Sequence, residues 1–285
     1  MNTYNLPAQY QGLKIDSCYE FIKTMNSMSE EQIRQQRDII RGNARKLTEN
    51  IFTILYFQGH DPKSIAKEQV LADLYGICHE NGISDHYAML ADQTHPVLRP
   101  LGPFPHLEIL SDKDQEILQE AGLLFQDEFN ARKYNDVDTR EMIYSGKWRA
   151  IELMRDTLRL PASRFFANSL NKICQLDLFA RKLDHSPAAN KFKFKGIVNI
   201  SRLFPGSIIL PHFGINQSRL RIQIPINIPS GDCKIFCYDV NRYWDVDMPL
   251  ILNDSYIHMV ANNTDMTRDV VLIDIQHPDL ININA

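Results

Sequence analysis

From Phe192 onward the apolar residues of this 285-residue chain recur at every second position, whereas earlier they recur every three or four. A period of two is the mark of strands with one buried face, and a period near 3.6 is the mark of helices. Short β-rich runs follow at Lys195 to Leu203, Ser207 to Leu210, Leu220 to Ile228, Lys234 to Val240, Pro249 to Leu252, His258 to Asn262 and Asp269 to Ile275. Each is bounded by Gly, Pro, Asn, Asp or Ser, the residues that turn a chain. Closely spaced strands of this kind close on themselves as a sandwich or barrel, most readily a double-sheet jelly roll. With helices first and strands later, the whole reads as α+β.

The helical part has its own punctuation. Ser29-Glu-Glu-Gln is an N-cap with acid in the first turn, and Ile33, Ile40, Leu47, Ile51 and Leu55 line one face of a helix from about Glu30 to Phe57, ended by Gly59. Asp61-Pro62 restarts the pattern, and Ile65, Val70, Leu71, Leu74 and Ile77 carry a second helix to Asn81-Gly82. Four prolines between His95 and His106 suit neither a helix interior nor a central strand, so a boundary is expected there. Ser111 to Lys133 reads as a further helix, Pro161 to Leu176 as helical, and Lys147 to Met154 alternates as a strand. The expected division is a helical region 1–95, a proline-rich linker and helix 96–140, and a jelly roll 141–285.

Composition removes several classes of function. The net charge of -4 offers no basic excess for nucleic acid. No apolar run approaches a membrane span, and the first residues lack the pattern of a signal peptide, so a cytoplasmic address is expected. The odd count of five scattered cysteines suits a reducing compartment. Cys233 and Cys237 share strand parity but read as small core residues, and the sequons at Asn216 and Asn262 carry no weight without secretion. His60, His79 and His86 sit near helix ends and read as surface residues.

Two imidazoles remain, His212 and His258, each on a strand-like run, and together they suggest a metal. In the run from Arg219, the side chains of Arg219, Arg221 and Gln223 share one face; they either meet solvent or line a polar interior meant for an anion. If Asn262 to Asp265 form a hairpin turn, antiparallel pairing sets Arg268 opposite His258 on the same face. A guanidinium forks onto a carboxylate, so this pairing suits a dicarboxylic acid that also chelates the metal, as 2-oxoglutarate does.

Several spaced motifs then carry a resemblance: Pro205-Gly-Ser, Pro211-His212-Phe-Gly214, Arg219-Leu-Arg221, Gly231 to Cys237, Trp244, Asn253 to His258, Arg268 and Asp274 to Leu280. Over roughly Gly146 to Leu280 the chain resembles the aspartyl/asparaginyl β-hydroxylases, Fe(II)- and 2-oxoglutarate-dependent oxygenases on a cupin-like double-stranded β-helix. The resemblance implies His212 and His258 as iron ligands, and Arg268 with Ser201 as the site for the far carboxylate of 2-oxoglutarate. It places Arg221 near the metal-bound end or the substrate, matches Trp148 to a tryptophan of the first domain strand, and puts Asp254 where an outer or substrate-contacting acid is expected. Most oxygenases of the wider class carry an acid two residues after the first histidine. Gly214 stands there, which fits this family and implies weak metal retention.

Two departures bear on substrate. Gln223 stands where members acting on acidic residues carry a cosubstrate-contacting His, and Asn199 where they carry a Lys; losing that cation weakens the case for an aspartyl substrate. The resemblance implies Fe(II), 2-oxoglutarate and O2 as reactants and hydroxylation of an amino-acid residue, in a peptide, a protein or a small molecule. Lipid and free amino-acid substrates occur in the family. The alternatives are a catalytically silent jelly roll that binds a ligand or partner, and halogenation at the open position beside Gly214. Arg219, Asn199 and the N-terminal helices are expected to wall a substrate channel or meet a partner. His277 is expected to be structural.

Overall fold

The computed structural model describes residues 11–81, 101–131, 137–138, 143–155, 158–180, 196–214 and 219–280. His86, His95 and Asn216 lie outside them. Helix α1 (Asp16–Ser27) precedes the expected long helix α2 (Glu30–Phe57). The start of α2 is fixed by a reciprocal cap: Ser29 Oγ accepts from Gln32 N at 3.3 Å, and Gln32 Oε1 accepts from Ser29 N at 2.8 Å. The stretch after Asp61-Pro62 is two helices rather than one. α3 (Pro62–Ile65) ends in tight turns from Lys67 N to Ser64 O and from Glu68 N to Ile65 O, and α4 (Gln69–Glu80) follows. The break lets Ile65 and Ala66 turn inward beside Val70, Leu71 and Leu74, all buried.

Helix α5 (Asp112–Asn130) starts on Ser111, whose hydroxyl accepts from Asp114 N at 3.1 Å. Pro161–Phe165 is a 3-10 turn, which then opens into α6 (Ala167–Ile173) and α7 (Asp177–Ala180), so this stretch is more broken than its periodicity predicts. The strands are β1 (Val137–Asp138), β2 (Ile143–Ser145), β3 (Trp148–Arg155), β4 (Leu158–Arg159), β5 (Val198–Leu203), β6 (Ser207–His212), β7 (Arg219–Asn227), β8 (Cys233–Cys237), β9 (Val240–Arg242), β10 (Leu250–Leu252), β11 (His258–Asn262) and β12 (Arg268–Gln276). The single run expected from Lys234 to Val240 is two strands, because the chain reverses at Tyr238, whose φ of 55° is left-handed.

Among the described residues these strands form two antiparallel sheets. One runs β1-β3-β5-β12-β7-β10 with β4 beside β3; the other runs β2-β6-β11-β8-β9. The expected hairpin from His258 to Arg268 does not form. β11 pairs with β6 and β8, while β12 pairs with β5 and β7 in the opposite sheet, so residues 263–267 arch between the sheets. Asn262 holds that arch: its Nδ2 donates to Leu203 O at 2.9 Å and Met266 O at 2.8 Å, and its Oδ1 accepts from Thr264.

Each sheet is buried on both faces, which makes four layers. Leu203, Ile209, Ile235, Leu252, Val260 and Val270 fill the space between the sheets. Behind the larger sheet, Leu220, Ile222, Ile224 and Ile226 of β7 pack with Phe125 of α5 and Leu170 of α6. Truncating Phe125 would cost about 3–5 kcal/mol, the usual range for a fully buried aromatic. Behind the smaller sheet, Phe213 and Ile257 join the core of α1 to α4, and Tyr56 of α2 covers Ile208, Phe236, Met259 and Ala261. Among the described residues no helix is long and apolar enough to cross a membrane.

Candidate active site

His212 ends β6 and His258 begins β11, and the two are direct cross-strand partners with ring centroids 4.1 Å apart. Their shared direction needs an irregularity. Ile209 lines the interior, and strict alternation from it would turn Pro211 inward rather than His212. Between the His258–His212 and Val260–Ile209 pairs β6 spends three steps against two on β11, and the extra residue at this bulge brings the imidazole inside. Pro211 is suited to the bulge because it has no N–H to give a ladder. The strand therefore continues past Leu210, where its expected end lay.

Both rings are set the same way. The Nδ1 of His212 meets Leu210 O at 2.7 Å, and the Nδ1 of His258 meets Tyr256 O at 2.9 Å. A carbonyl only accepts, so each Nδ1 carries the proton and each Nε2 keeps a lone pair. Burial, with His258 as neighbour, holds the His212 pKa well below the ordinary value. Burial likewise lowers His258, to about 4, helped by Arg221 and Arg219 against the Tyr256 bond. Two neutral imidazoles with free Nε2 atoms are what a divalent metal binds. Among the described residues no third His, Cys, Asp or Glu completes a cluster with them.

The two histidines open on a cavity of about 50 Å³ between the sheets, whose polar walls are Trp148, Ser201, Arg221, Gln223 and Arg268. That is space for roughly three or four waters. Arg268 thus shares a cavity with His258, as expected, although the two reach it from opposite sheets. Its guanidinium is buried. Nη2 donates to Ser201 Oγ at 3.3 Å, Nε has no partner, and the ring of Trp244 lies 4.9 Å away. Its sequence neighbour Asp269 is bound instead by Arg202 at 2.9 Å and Asn227 at 3.1 Å. Burial pulls the Arg268 pKa down to about 10. A buried cation without a carboxylate is a costly arrangement that an anionic ligand would relieve. Ser201 also accepts from Trp148 Nε1 at 2.9 Å, and Gln223 Oε1 accepts from Trp244 Nε1 at 2.9 Å.

Arg219 and Arg221 are compensated. Asp274 accepts from Arg221 Nε at 2.7 Å and Arg219 Nη1 at 2.9 Å, and Asp254 accepts from Arg219 Nη2 at 2.8 Å and lies 3.6 Å from Arg221. Burial opposes the charge on Arg221, but Asp274 and Asp254 outweigh it and raise its pKa. The arginine stripe is therefore a polar interior rather than a solvent face. Arg219, Asp254 and Asn199 stand outside the cavity lining. Asn199 is the ladder partner of Leu272, which lines the cavity, and its Oδ1 is buried without a partner. Asp254 Oδ1 is buried and unpartnered too. Gly214 gives that carboxyl its room, since an added Cβ would overlap it.

Trp244 and Asp274 lie in the motifs that carry the resemblance, but nothing in the sequence shows that one caps Arg268 or that the other bridges both arginines. His277 lies buried outside the cavity, and its Nδ1 accepts from Asp279 N at 3.2 Å. Cys233 and Cys237 are buried free thiols.

The model of the aspartyl/asparaginyl beta-hydroxylase family matches residues 111–278, more than half of the chain. The chain belongs to this family. The match begins at the cap of α5 rather than near Gly146, so the helix packed behind β7 falls within the family's segment. Among relatives, the aspartyl/asparaginyl beta-hydroxylases of Mus musculus and Homo sapiens are 34% and 33% identical over 86 residues. Those stretches are 30% of this chain but only 12% and 11% of the relatives. Aspartate beta-hydroxylase domain-containing protein 2 of Mus musculus is 29% identical over 84 residues, 28% of this chain and 24% of the relative. Among solved structures, a 2OG-Fe(II) oxygenase family oxidoreductase from Burkholderia pseudomallei is 14% identical with a TM-score of 0.37, covering 55% of this chain and 79% of the other. HygX from Streptomyces hygroscopicus, solved with nickel and 2-oxoglutarate, is 12% identical with a TM-score of 0.36, covering 55% and 78%.

Proposed function

We propose that this chain is an Fe(II)- and 2-oxoglutarate-dependent oxygenase that hydroxylates a carbon, with the β-carbon of an aspartyl- or asparaginyl-like residue in a peptide, protein or small molecule as its substrate class. The observation that carries this reading is Arg268, a buried guanidinium with an unpartnered Nε in the cavity that His212 and His258 enter. The residues fit the cofactor: two imidazoles present unprotonated Nε2 atoms, and at Gly214, where an acid would otherwise stand, the chain brings no side chain of its own.

His212 and His258 hold the iron in this reading. Held there, iron would supply with O2 and 2-oxoglutarate the oxidation that converts a substrate C–H to C–OH, the second oxygen atom leaving in succinate together with CO2. Arg268 and the Ser201 hydroxyl anchor the far carboxylate, and Arg221 and Gln223 steady the metal end. Trp148 and Trp244 fix Ser201, Gln223 and Arg268, so the anchor is rigid before the ligand arrives. Ile209, Ile235, Leu252, Val260 and Leu272 keep the cavity poor in water. Asn199, Arg219 and Asp254 form the outer wall, where the substrate is positioned.

Succinate formed from 2-oxoglutarate in the presence of Fe(II) and candidate peptides tests the assignment. Turnover by wild type that disappears in His212→Ala and His258→Ala is expected; equal turnover in all three would refute it.

A further inference from the structure

We propose that the N-terminal helices are a working part of the metal site, and that Arg45 of α2 is a positioning residue for His212. This rests on the iron-site reading above. His212, turned inward by the bulge in β6, and His258 both enter the cavity, and their sequence neighbours meet the helices. Phe213 and Ile257 pack into the core of α1 to α4, and Met259 lies under Tyr56 of α2.

The contact at Phe213-Gly214 is polar and directional as well. Arg45 Nη2 donates to Phe213 O at 3.1 Å and to Gly214 O at 3.0 Å, and its guanidinium lies 5.5 Å from the Phe213 ring. Gly214 N donates to Asp254 O at 2.5 Å. The segment after His212 is thus held from two sides, its carbonyls by α2 and its amide by the loop before β11. Glu49, one turn beyond Arg45, faces the Phe213 backbone, which offsets part of the rise that burial gives its pKa. Both side chains are half-buried, and that burial lowers the pKa of Arg45 and raises that of Glu49.

The position of this contact gives it its consequence. β6 ends at His212, so the sheet ladder no longer fixes the backbone beyond it. The Nδ1 bond to Leu210 sets the ring's rotation but not the path of the chain. Arg45 supplies that missing restraint, and with it the distance between the two Nε2 atoms and the seat of Asp254 against Gly214. Residue 45 lies outside the segment matched by the family, so this restraint comes from the chain's own N-terminal region.

The test is Co(II) binding to the full, metal-free chain without oxygen, followed by the absorption of bound cobalt, for wild type, Arg45→Met, Arg45→Lys and Arg41→Met. Arg45→Met should weaken binding by roughly tenfold or more, as loss of outer partners of metal ligands does, and should alter the cobalt spectrum while far-UV circular dichroism is unchanged. Arg45→Lys should recover most of the affinity, and Arg41→Met, which removes a charge one turn away, should match wild type. Folded Arg45→Met with wild-type affinity and spectrum overturns the proposal. Should that variant not fold, Arg45→Gln and Arg45→Ala take its place: reduced affinity in a folded one supports the restraint, and wild-type affinity in a folded one overturns it. Wild type that takes up no cobalt removes the iron-site reading and this proposal together, whereas uptake that is indifferent to Arg45 removes this proposal alone.

Discussion

Gly214 and Asp254 share one space: the Asp254 carboxyl occupies the volume that any side chain at 214 would fill. The glycine is therefore required by a carboxylate that arrives from another part of the chain. Gly214→Ala should displace Asp254, disturb its bond to Arg219 and destabilise the fold by about 1–3 kcal/mol, the usual cost of overpacking. Gly214→Asp should be worse, because it sets a second acid beside a buried one. Thermal unfolding of both variants checks the order, and a Gly214→Ala protein as stable as wild type would count against the packing described.

Arg268 separates stability from binding. Its guanidinium is buried without a carboxylate, so Arg268→Met should leave the ligand-free fold as stable as wild type or more so. The same change should weaken 2-oxoglutarate binding by roughly 30-fold to 1000-fold, the range for truncating one partner of a buried charge pair. The chain has two tryptophans, Trp148 and Trp244, and both stand against this anchor, so intrinsic fluorescence reports the titration.

Asp254 should behave in the opposite way. Removing it as Asp254→Ala leaves Arg219 with Asp274 alone and should cost about 3–5 kcal/mol, as breaking a buried pair does. Denaturant unfolding measures this directly.

The strand region of the fold was legible because alternation and turn residues survive in each run; the ends of β6 and β12 moved by only a residue or two. Arg221 and Gln223 were legible as one face of β7, though not which side that face took. His258 and Arg268 share the cavity without the hairpin that their spacing suggests. Asn262 to Asp265 look like a hairpin turn locally, yet Asn262 spends its amide on Leu203 and Met266 and sends the chain to the other sheet. Local turn chemistry does not record which sheet a strand joins. Arg45 and Glu49 were invisible for a related reason: on the sequence they are charges on a helix face, and only tertiary packing half-buries them against the segment after His212.

Acid should unfold the metal-free protein through its imidazoles. The His258 pKa is about 4 in the fold against an ordinary 6.5. Between those values the unfolded chain holds a proton that the folded chain refuses, so stability is full above about 6.5, falls as the pH drops through this window, and levels below about 4. His258→Gln should flatten that part of the profile. Melting temperatures of wild type and variant from pH 7 to pH 4 show whether the two curves converge as predicted.

The most direct measurement is calorimetric titration of the metal-free chain with 2-oxoglutarate, with and without Mn(II) in place of iron, for wild type, His212→Ala and Arg268→Met. Joint use of one cavity by the histidine pair and Arg268 predicts one tight site per chain that needs the metal and is lost in both variants. Binding that is indifferent to Mn(II) and to His212 would contradict it.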